Sequence, residues 1–172
     1  MDLIGKTILI TGATDGIGRV LAKEFSRLGS NIILLGKNSS KLDAVYDQLD
    51  DSFDSQKHLI LEADLSHLNN ESAHEIFIAI SSEFNTLDGI IHNAAILGTM
   101  TPLEDYELSK WDEVLNINLR APFLLTKTLK SIIENSPMPR IIFTSSGVAN
   151  VGRAFWGAYS VSKFGLKGLA EI

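Results

Sequence analysis

The sequence predicts an α/β fold, a doubly wound parallel sheet with helices on both faces. Short apolar runs alternate with longer amphipathic segments, the pattern of parallel strands joined by crossover helices. The run Thr7-Ile8-Leu9-Ile10 leads directly into Thr11-Gly12-Ala13-Thr14-Asp15-Gly16-Ile17-Gly18, which reads as a strand turning into a helix through glycines. The 172 residues suit one domain, and a chain of this size buries roughly 70% of its unfolded surface.

Strands are predicted at Thr7 to Thr11, Asn31 to Leu35, His58 to Glu62, Gly89 to His92 and Arg140 to Thr144. The first helix spans Gly16 to Leu28, with Ile17, Val20, Leu21, Phe25 and Leu28 at helical spacing and Gly29 as its stop. The second begins at Ser39 or Ser40 and ends around Asp50, and the third covers Asn70 to Phe84. A long fourth helix, Leu108 to Asn135, contains Pro122 and is expected to bend there. The fifth starts near Trp156 and is still running at Ile172. Right-handed crossovers wind outward in both directions from the first strand, so ligands belong at the carboxyl ends near the reversal, where the glycine turn lies. There is no internal repeat, low-complexity tract or linker, and residues 1–172 read as one domain.

Composition excludes several functions. The net charge is −6 and the basic residues are scattered, without the stripe that a nucleic-acid backbone needs. There is no cysteine, and the histidines His58, His67, His74 and His92 do not fall at metal-ligand spacing. No apolar run has the length of a membrane span, and the first strand follows Met1 too closely for a leader. The expected location is the cytoplasm.

The glycine turn binds phosphate in principle, because glycines let the backbone approach a pyrophosphate while the N–H groups and positive end of the next helix hold the anion. Its spacing is G-x-x-x-G-x-G, so it matches the dinucleotide fingerprint in mechanism and not in letters; a ligand-free glycine connection is the alternative reading. Gly12, Thr14, Asp15, Gly16, Ile17 and Gly18 are the candidate contacts. After the second strand the chain reads Leu34-Leu35-Gly36-Lys37-Asn38. The acid that would bind an NAD ribose is missing and Lys37 offers a positive charge, which favours NADP(H) over NAD(H). The missing acid also weighs against an S-adenosylmethionine methyltransferase. Asp15 is a poor neighbour for an extra phosphate.

Tyr159 and Lys163 stand four residues apart at the start of the last helix, on one face. A phenol ordinarily loses its proton near pH 10, and a neighbouring cation brings it toward the working range of an acid–base catalyst. An ordinary exposed Tyr–Lys pair is the competing reading. Ser145 and Ser146, at the end of the fifth strand, share the carboxyl edge with the glycine turn, and Ser146 precedes Tyr159 by thirteen residues.

Taken together, TGATDGIG at Thr11 to Gly18, DL at Asp64 and Leu65, HNAA at His92 to Ala95, NINL at Asn116 to Leu119, FTSS at Phe143 to Ser146 and YSVSK at Tyr159 to Lys163 resemble the short-chain dehydrogenase/reductase family over the whole chain. The resemblance implies a Rossmann-type fold and a four-membered catalytic group. In it Tyr159 is the general acid or base and also a cofactor contact, Lys163 lowers its pKa and binds the nicotinamide ribose, Ser146 holds the substrate oxygen, and Asn118 anchors a water relay. Pro122 cannot donate an N–H to the carbonyl of Asn118 four residues earlier; Asn116 is the other candidate. Asp64 and Leu65 would flank the adenine, and Asn93 and Ala94 the ribose. His92 and Ala95 stand where the family more often has Asn and Gly; His92 reads as a packing or hydrogen-bonding variant.

The implied reaction is hydride transfer between the cofactor and a carbonyl or secondary alcohol, a small-molecule substrate. The alternative is a nucleotide-binding redox sensor or an inactive relative. Family members continue into two more strands, a proline-glycine turn and a mobile lid, so the resemblance implies that this chain is incomplete at its C-terminus and impaired alone. It also implies a homodimer or homotetramer formed through the long fourth helix and the last helix. Leu97 to Tyr106 and Gly147 to Trp156 are the candidate substrate loops.

Overall fold

The strands are β1 (Thr7–Thr11), β2 (Asn31–Gly36), β3 (His58–Glu62), β4 (Gly89–His92) and β5 (Arg140–Phe143), seen in a computed structural model that describes residues 3–172. They form one parallel sheet in the order β3-β2-β1-β4-β5. β1 lies in the middle, with Ile10 opposite Leu34 on one side and Ile91 on the other. The winding reverses there, so the turn after β1 opens at the switch point.

Alternation along the strands feeds two helix layers. Leu9, Ile33, Leu35 and Ile90 face one core, covered by α3 (Asn70–Glu83), α5 (Ala121–Thr128) and α6 (Lys130–Glu134) through Ile76, Ile80, Leu125 and Ile133. Ile8, Ile10, Ile32, Leu34 and Ile91 face the other, covered by α1 (Gly16–Arg27) and α2 (Ser39–Tyr46) through Ala22, Leu42 and Val45. Strands covered on both faces read as unbroken apolar runs, as β1 and β2 do.

Local chemistry sets the helix ends. Asn69 and Ser72 form a reciprocal capping box at the start of α3. α1 stops at Gly29, whose φ of +85° turns the chain out and lets Ser30 N–H reach the Phe25 carbonyl. α2 ends at Tyr46, short of the expected Asp50, because the Asp50 backbone is drawn into tertiary bonds with Ser26 Oγ and His58 Nε2. The long fourth helix is broken into α4 (Leu108–Leu115), a wide turn of π-helix at Asn116–Arg120, α5 and α6. Where the sequence predicts a bend at Pro122, the helix widens just ahead of it, with Ala121 N–H reaching back to the Asn116 carbonyl. The last helix, α7 (Gly157–Glu171), packs against α4, the π-turn and β5. No helix among the described residues is long and apolar enough to cross a membrane.

Two glycines make the switch point possible. A Cβ on Gly18 would sit 2.3 Å from the Gly12 carbonyl oxygen and 2.7 Å from Asn93 Nδ2. A Cβ on Gly12, already at φ +63°, would sit 2.8 Å from Ala94 Cα. Alanine in place of a helical glycine ordinarily adds up to about 1 kcal/mol. At Gly18 the sign reverses, and Gly18→Ala is expected to lower the unfolding free energy by about 1–3 kcal/mol, read from urea titration.

Candidate active site

The turn after β1 forms the floor of a cleft of about 630 Å³ along the carboxyl edge of the sheet. Gly12, Thr14, Asp15, Gly16 and Ile17 line it from the turn, and Lys37 from the end of β2. Asp64 and Leu65 enter from the end of β3, and Asn93, Ala94 and Ala95 from the end of β4. Gly18 lies beneath, holding α1 against the turn. The sequence-predicted cofactor contacts from four separate strands therefore converge on one groove.

Thr11 ties the two central strand ends together. Its Oγ1 accepts N–H bonds from Asn93 and Ala94, each 3.0 Å, and donates to the Ile91 carbonyl at 3.4 Å. Asn93 Nδ2 donates to the carbonyls of Thr11 and Gly12 at 3.2 and 3.3 Å. These bonds leave the glycine turn rigid before any ligand arrives. Thr11 opens the glycine motif, yet its sequence position alone gave no sign of this role.

The charges around the groove are local. Asp15 caps α1, its Oδ1 accepting Gly16 N–H at 2.7 Å, so the carboxylate sits on one of the donors that an anion would use. The Ser66 hydroxyl and Ser66 N–H bind Asp64, with His67 beside it, and hold its carboxyl below the usual range. Lys37 is exposed at the rim.

Three of the catalytic candidates, Tyr159, Lys163 and Asn118, are linked at the start of α7, and Ser146 stands just past the end of β5. Lys163 is only 2% exposed. Its Nζ donates to the Thr144 carbonyl at 2.7 Å and lies 5.6 Å from the Tyr159 ring centre. Burial holds the pKa of this amine below its ordinary value. Ser146 follows Thr144 by two residues and starts a short 3₁₀ turn, Gly147–Ala149. Asn118, on the π-turn, is 1% exposed. Its amide bonds both backbone groups of Ile96, Oδ1 accepting and Nδ2 donating at 2.9 Å each, and Nδ2 also donates to Ser162 Oγ at 3.1 Å. The Thr144 carbonyl and Ser162 were not singled out from the sequence: the first acts through backbone, and the second has its partner forty-four residues away.

His92 is a packing and hydrogen-bonding residue. It is 2% exposed, stacks on Phe143 with ring centres 4.9 Å apart, and shares a 2.9 Å bond between Nε2 and Thr126 Oγ1. Burial pushes its pKa down to about 3. The imidazole is neutral and sealed from solvent.

The family model described as short chain dehydrogenase matches residues 6–172. The uncharacterized oxidoreductase YciK of Escherichia coli K12 is 36% identical over 99% of this chain and 68% of its own length. A 3-oxoacyl-acyl-carrier-protein reductase of Aquifex aeolicus is 31% identical over 99% of this chain and 67% of its own. The chain thus spans about two thirds of these relatives. A crystal structure of a short chain dehydrogenase from Shigella flexneri superposes with a TM-score of 0.91 at 37% identity, covering 98% of this chain and 66% of that one. An Escherichia coli CFT073 protein assigned to the same group, crystallised with NADPH, gives the same score and identity over 98% of this chain and 70% of its own.

The buried His92 fixes a pH response. Its folded pKa, about 3, lies below the ordinary value near 6.5, so the unfolded chain binds the extra proton. Stability is fully present above that ordinary value and falls as pH drops toward the folded one, by at most about 1.4 kcal/mol per pH unit from this group. Urea unfolding at a series of pH values should show this slope in the wild type and lose one proton's worth of it in His92→Asn.

Proposed function

The chain belongs to the short-chain dehydrogenase family, and from that premise we propose that it is an NADP(H)-dependent oxidoreductase moving a hydride between nicotinamide and a small carbonyl or secondary alcohol. The observation that carries this reading is Lys163, a buried amine with a neutral acceptor, set 5.6 Å from the Tyr159 ring. Burying a cation beside a carbonyl and a phenol serves stability poorly, and such perturbed groups concentrate at working sites. The cleft fits the cofactor: the Gly12–Ala94 and Gly18–Gly12 approaches admit no Cβ, leaving bare backbone where a pyrophosphate comes close.

In this reading Gly12, Thr14, Asp15, Gly16, Ile17 and Gly18 form the phosphate cradle, with Asp64, Leu65, Asn93 and Ala94 around the adenosine half. Lys37 meets the 2′-phosphate of NADP(H). When bound, the nicotinamide supplies or takes up the hydride. In reduction the Tyr159 hydroxyl gives its proton to the substrate oxygen, and in oxidation the same oxygen takes the proton from the alcohol. The Lys163 ammonium, held by the Thr144 carbonyl, stabilises the phenolate left after proton donation. Ser146 donates a hydrogen bond to the substrate oxygen as charge builds there, and Asn118 anchors the path by which the proton is replaced. A cytoplasmic place of action belongs to the same proposal.

The faces of α4, α5 and α7 support a second part of the reading, assembly as a homodimer or homotetramer. Leu115, Leu119, Phe123 and Leu169 line an apolar groove of about 490 Å³, and Phe164 on α7 is 45% exposed.

Turnover of a carbonyl panel with NADPH and NADH tests the activity. Tyr159→Phe should lower kcat by at least ~10²-fold and leave the Kd for NADPH within about twofold. Lys37→Ala should weaken NADPH roughly tenfold and NADH little, the equivalent of about 1.4 kcal/mol. Unchanged turnover in the tyrosine variant would overturn the mechanism. Light scattering tests assembly: Phe123→Glu is expected to shift the protein to monomer, and an unchanged mass would remove this face from the interface.

A further inference from the structure

We propose that Ser162 is a positioning residue of this site, the link that sets the catalytic helix against the Asn118 turn; the proposal rests on the oxidoreductase reading above. Ser162 is fully buried. Its hydroxyl donates to the Tyr159 carbonyl at 2.7 Å and accepts from Asn118 Nδ2 at 3.1 Å. A serine hydroxyl has one proton to give, and here it goes to the backbone of Tyr159 itself.

The bonds form one continuous chain. The backbone of Ile96, beyond the end of β4, holds the Asn118 amide from both sides. Asn118 passes its second N–H to Ser162, and Ser162 passes its own proton to Tyr159. Every amide hydrogen of Asn118 is thus placed, in a pocket where an unmatched one costs about 1–3 kcal/mol. Leu119 seats a second contact next to the first: a Cβ on Gly165 of α7 would lie 2.7 Å from Leu119 Cδ2. The apolar contact lets α7 come close to the π-turn, and the polar one selects its rotation and its height along the axis.

That rotation matters because Ser162 sits between the two residues that need aiming. Tyr159 is three positions before it and Lys163 is the next residue. Lys163 reaches Thr144 across the end of β5, so a small turn of α7 moves its ammonium off that carbonyl and carries the phenol with it, away from the end of β5. The glycine turn is fixed by its own bonds, from Thr11 Oγ1 and Asn93 Nδ2 across the ends of β1 and β4, and Ser162 takes part in none of them. The role is therefore separable: loss of Ser162 Oγ should spare cofactor binding and slow proton transfer.

Ser162→Ala removes the oxygen without adding volume, and Ser162→Thr keeps a hydroxyl. In the alanine variant kcat for carbonyl reduction should fall roughly tenfold, with KM for the carbonyl and Kd for NADPH within about twofold. The threonine variant should recover a good part of the loss. Added to Asn118→Ala, the serine change should cost little further, since both break one chain. A protein-only readout stands beside these. Burial holds the Lys163 amine below its ordinary pKa, so loosened α7 packing in Ser162→Ala should raise it, seen by ¹³C NMR of the Lys163 ε-carbon. Unaltered kcat, or a loss of kcat that adds fully to that of Asn118→Ala with an unmoved Lys163 titration, would overturn the role of Ser162. A wild-type protein that turns over no carbonyl, yet shows the Lys163 shift on substitution, would defeat the oxidoreductase reading and leave the link standing.

Discussion

Nothing larger than a hydrogen fits between α1 and the end of β1, and the architecture of the cleft follows from that constraint. The Gly18 backbone rests against the Gly12 carbonyl, and Gly12 rests against Ala94 at the end of β4. Helix, turn and two adjacent strands therefore meet backbone to backbone. The Thr11 hydroxyl then accepts from two N–H groups just past the end of β4. An anion arriving there meets fixed donors and has little ordering to drive, which is how a preorganised site converts contacts into affinity.

Lys163, buried, is held differently from Lys6, which is part-exposed. Lys6 pairs with Asp88, a carboxylate that also accepts from Ser136 and Thr7 N–H and is held below its usual range against its own desolvation. That network secures the amino end of β1 and the start of β5, far from the cleft. Lys163 has a carbonyl and an aromatic face in place of a carboxylate. A full ion pair would fix its charge, whereas a neutral acceptor leaves it free to respond to a charge forming on a neighbouring oxygen. Lys6 thus holds the sheet together, while Lys163 has the surroundings that the proposed proton transfer calls for.

Strand positions were legible in the sequence because β1, β2 and β4 are apolar runs covered on both faces, and the glycine turn announced the switch point. Helical spacing located α1 but not its buried side: of the residues read at that spacing, Ile17, Val20 and Leu28 are exposed, and Gly18, Ala22 and Ser26 are the buried ones, because the helix lies too close to the turn for larger side chains. What sequence could not show was set at a distance. α2 ends at Tyr46 and not near Asp50 because Ser26 and His58 take over the Asp50 backbone. Pro122 signalled a break, but the break took the form of a wide turn at Asn116–Arg120 that brings Asn118 inward. The candidate contacts of the cleft were readable as a set, since each sits at a strand end or in the turn. Ser162 and the Thr144 carbonyl were not, because a mid-helix serine and a backbone oxygen carry no pattern until the fold gives them partners.

The polar network at the strand ends and the loops beyond it are built on different terms. The network is made of strand ends and buried polar bonds, with Asn93, Asn118, Ser162 and Lys163 each fixed by named partners. The segments after β4 and β5 expose Leu97, Met100, Val151 and Phe155. Phe155 adopts φ +69°, a conformation that disfavours a bulky side chain. Arg153 and Trp156 stack beside it, and Trp156 leans on Tyr159 with ring centres 5.9 Å apart. The anchors of Asn118 and Lys163 run inward to Ile96, Ser162 and the Thr144 carbonyl, whereas Tyr159 meets the loop directly through Trp156, so changes in this loop reach the Tyr159 ring while leaving the inner bonds in place.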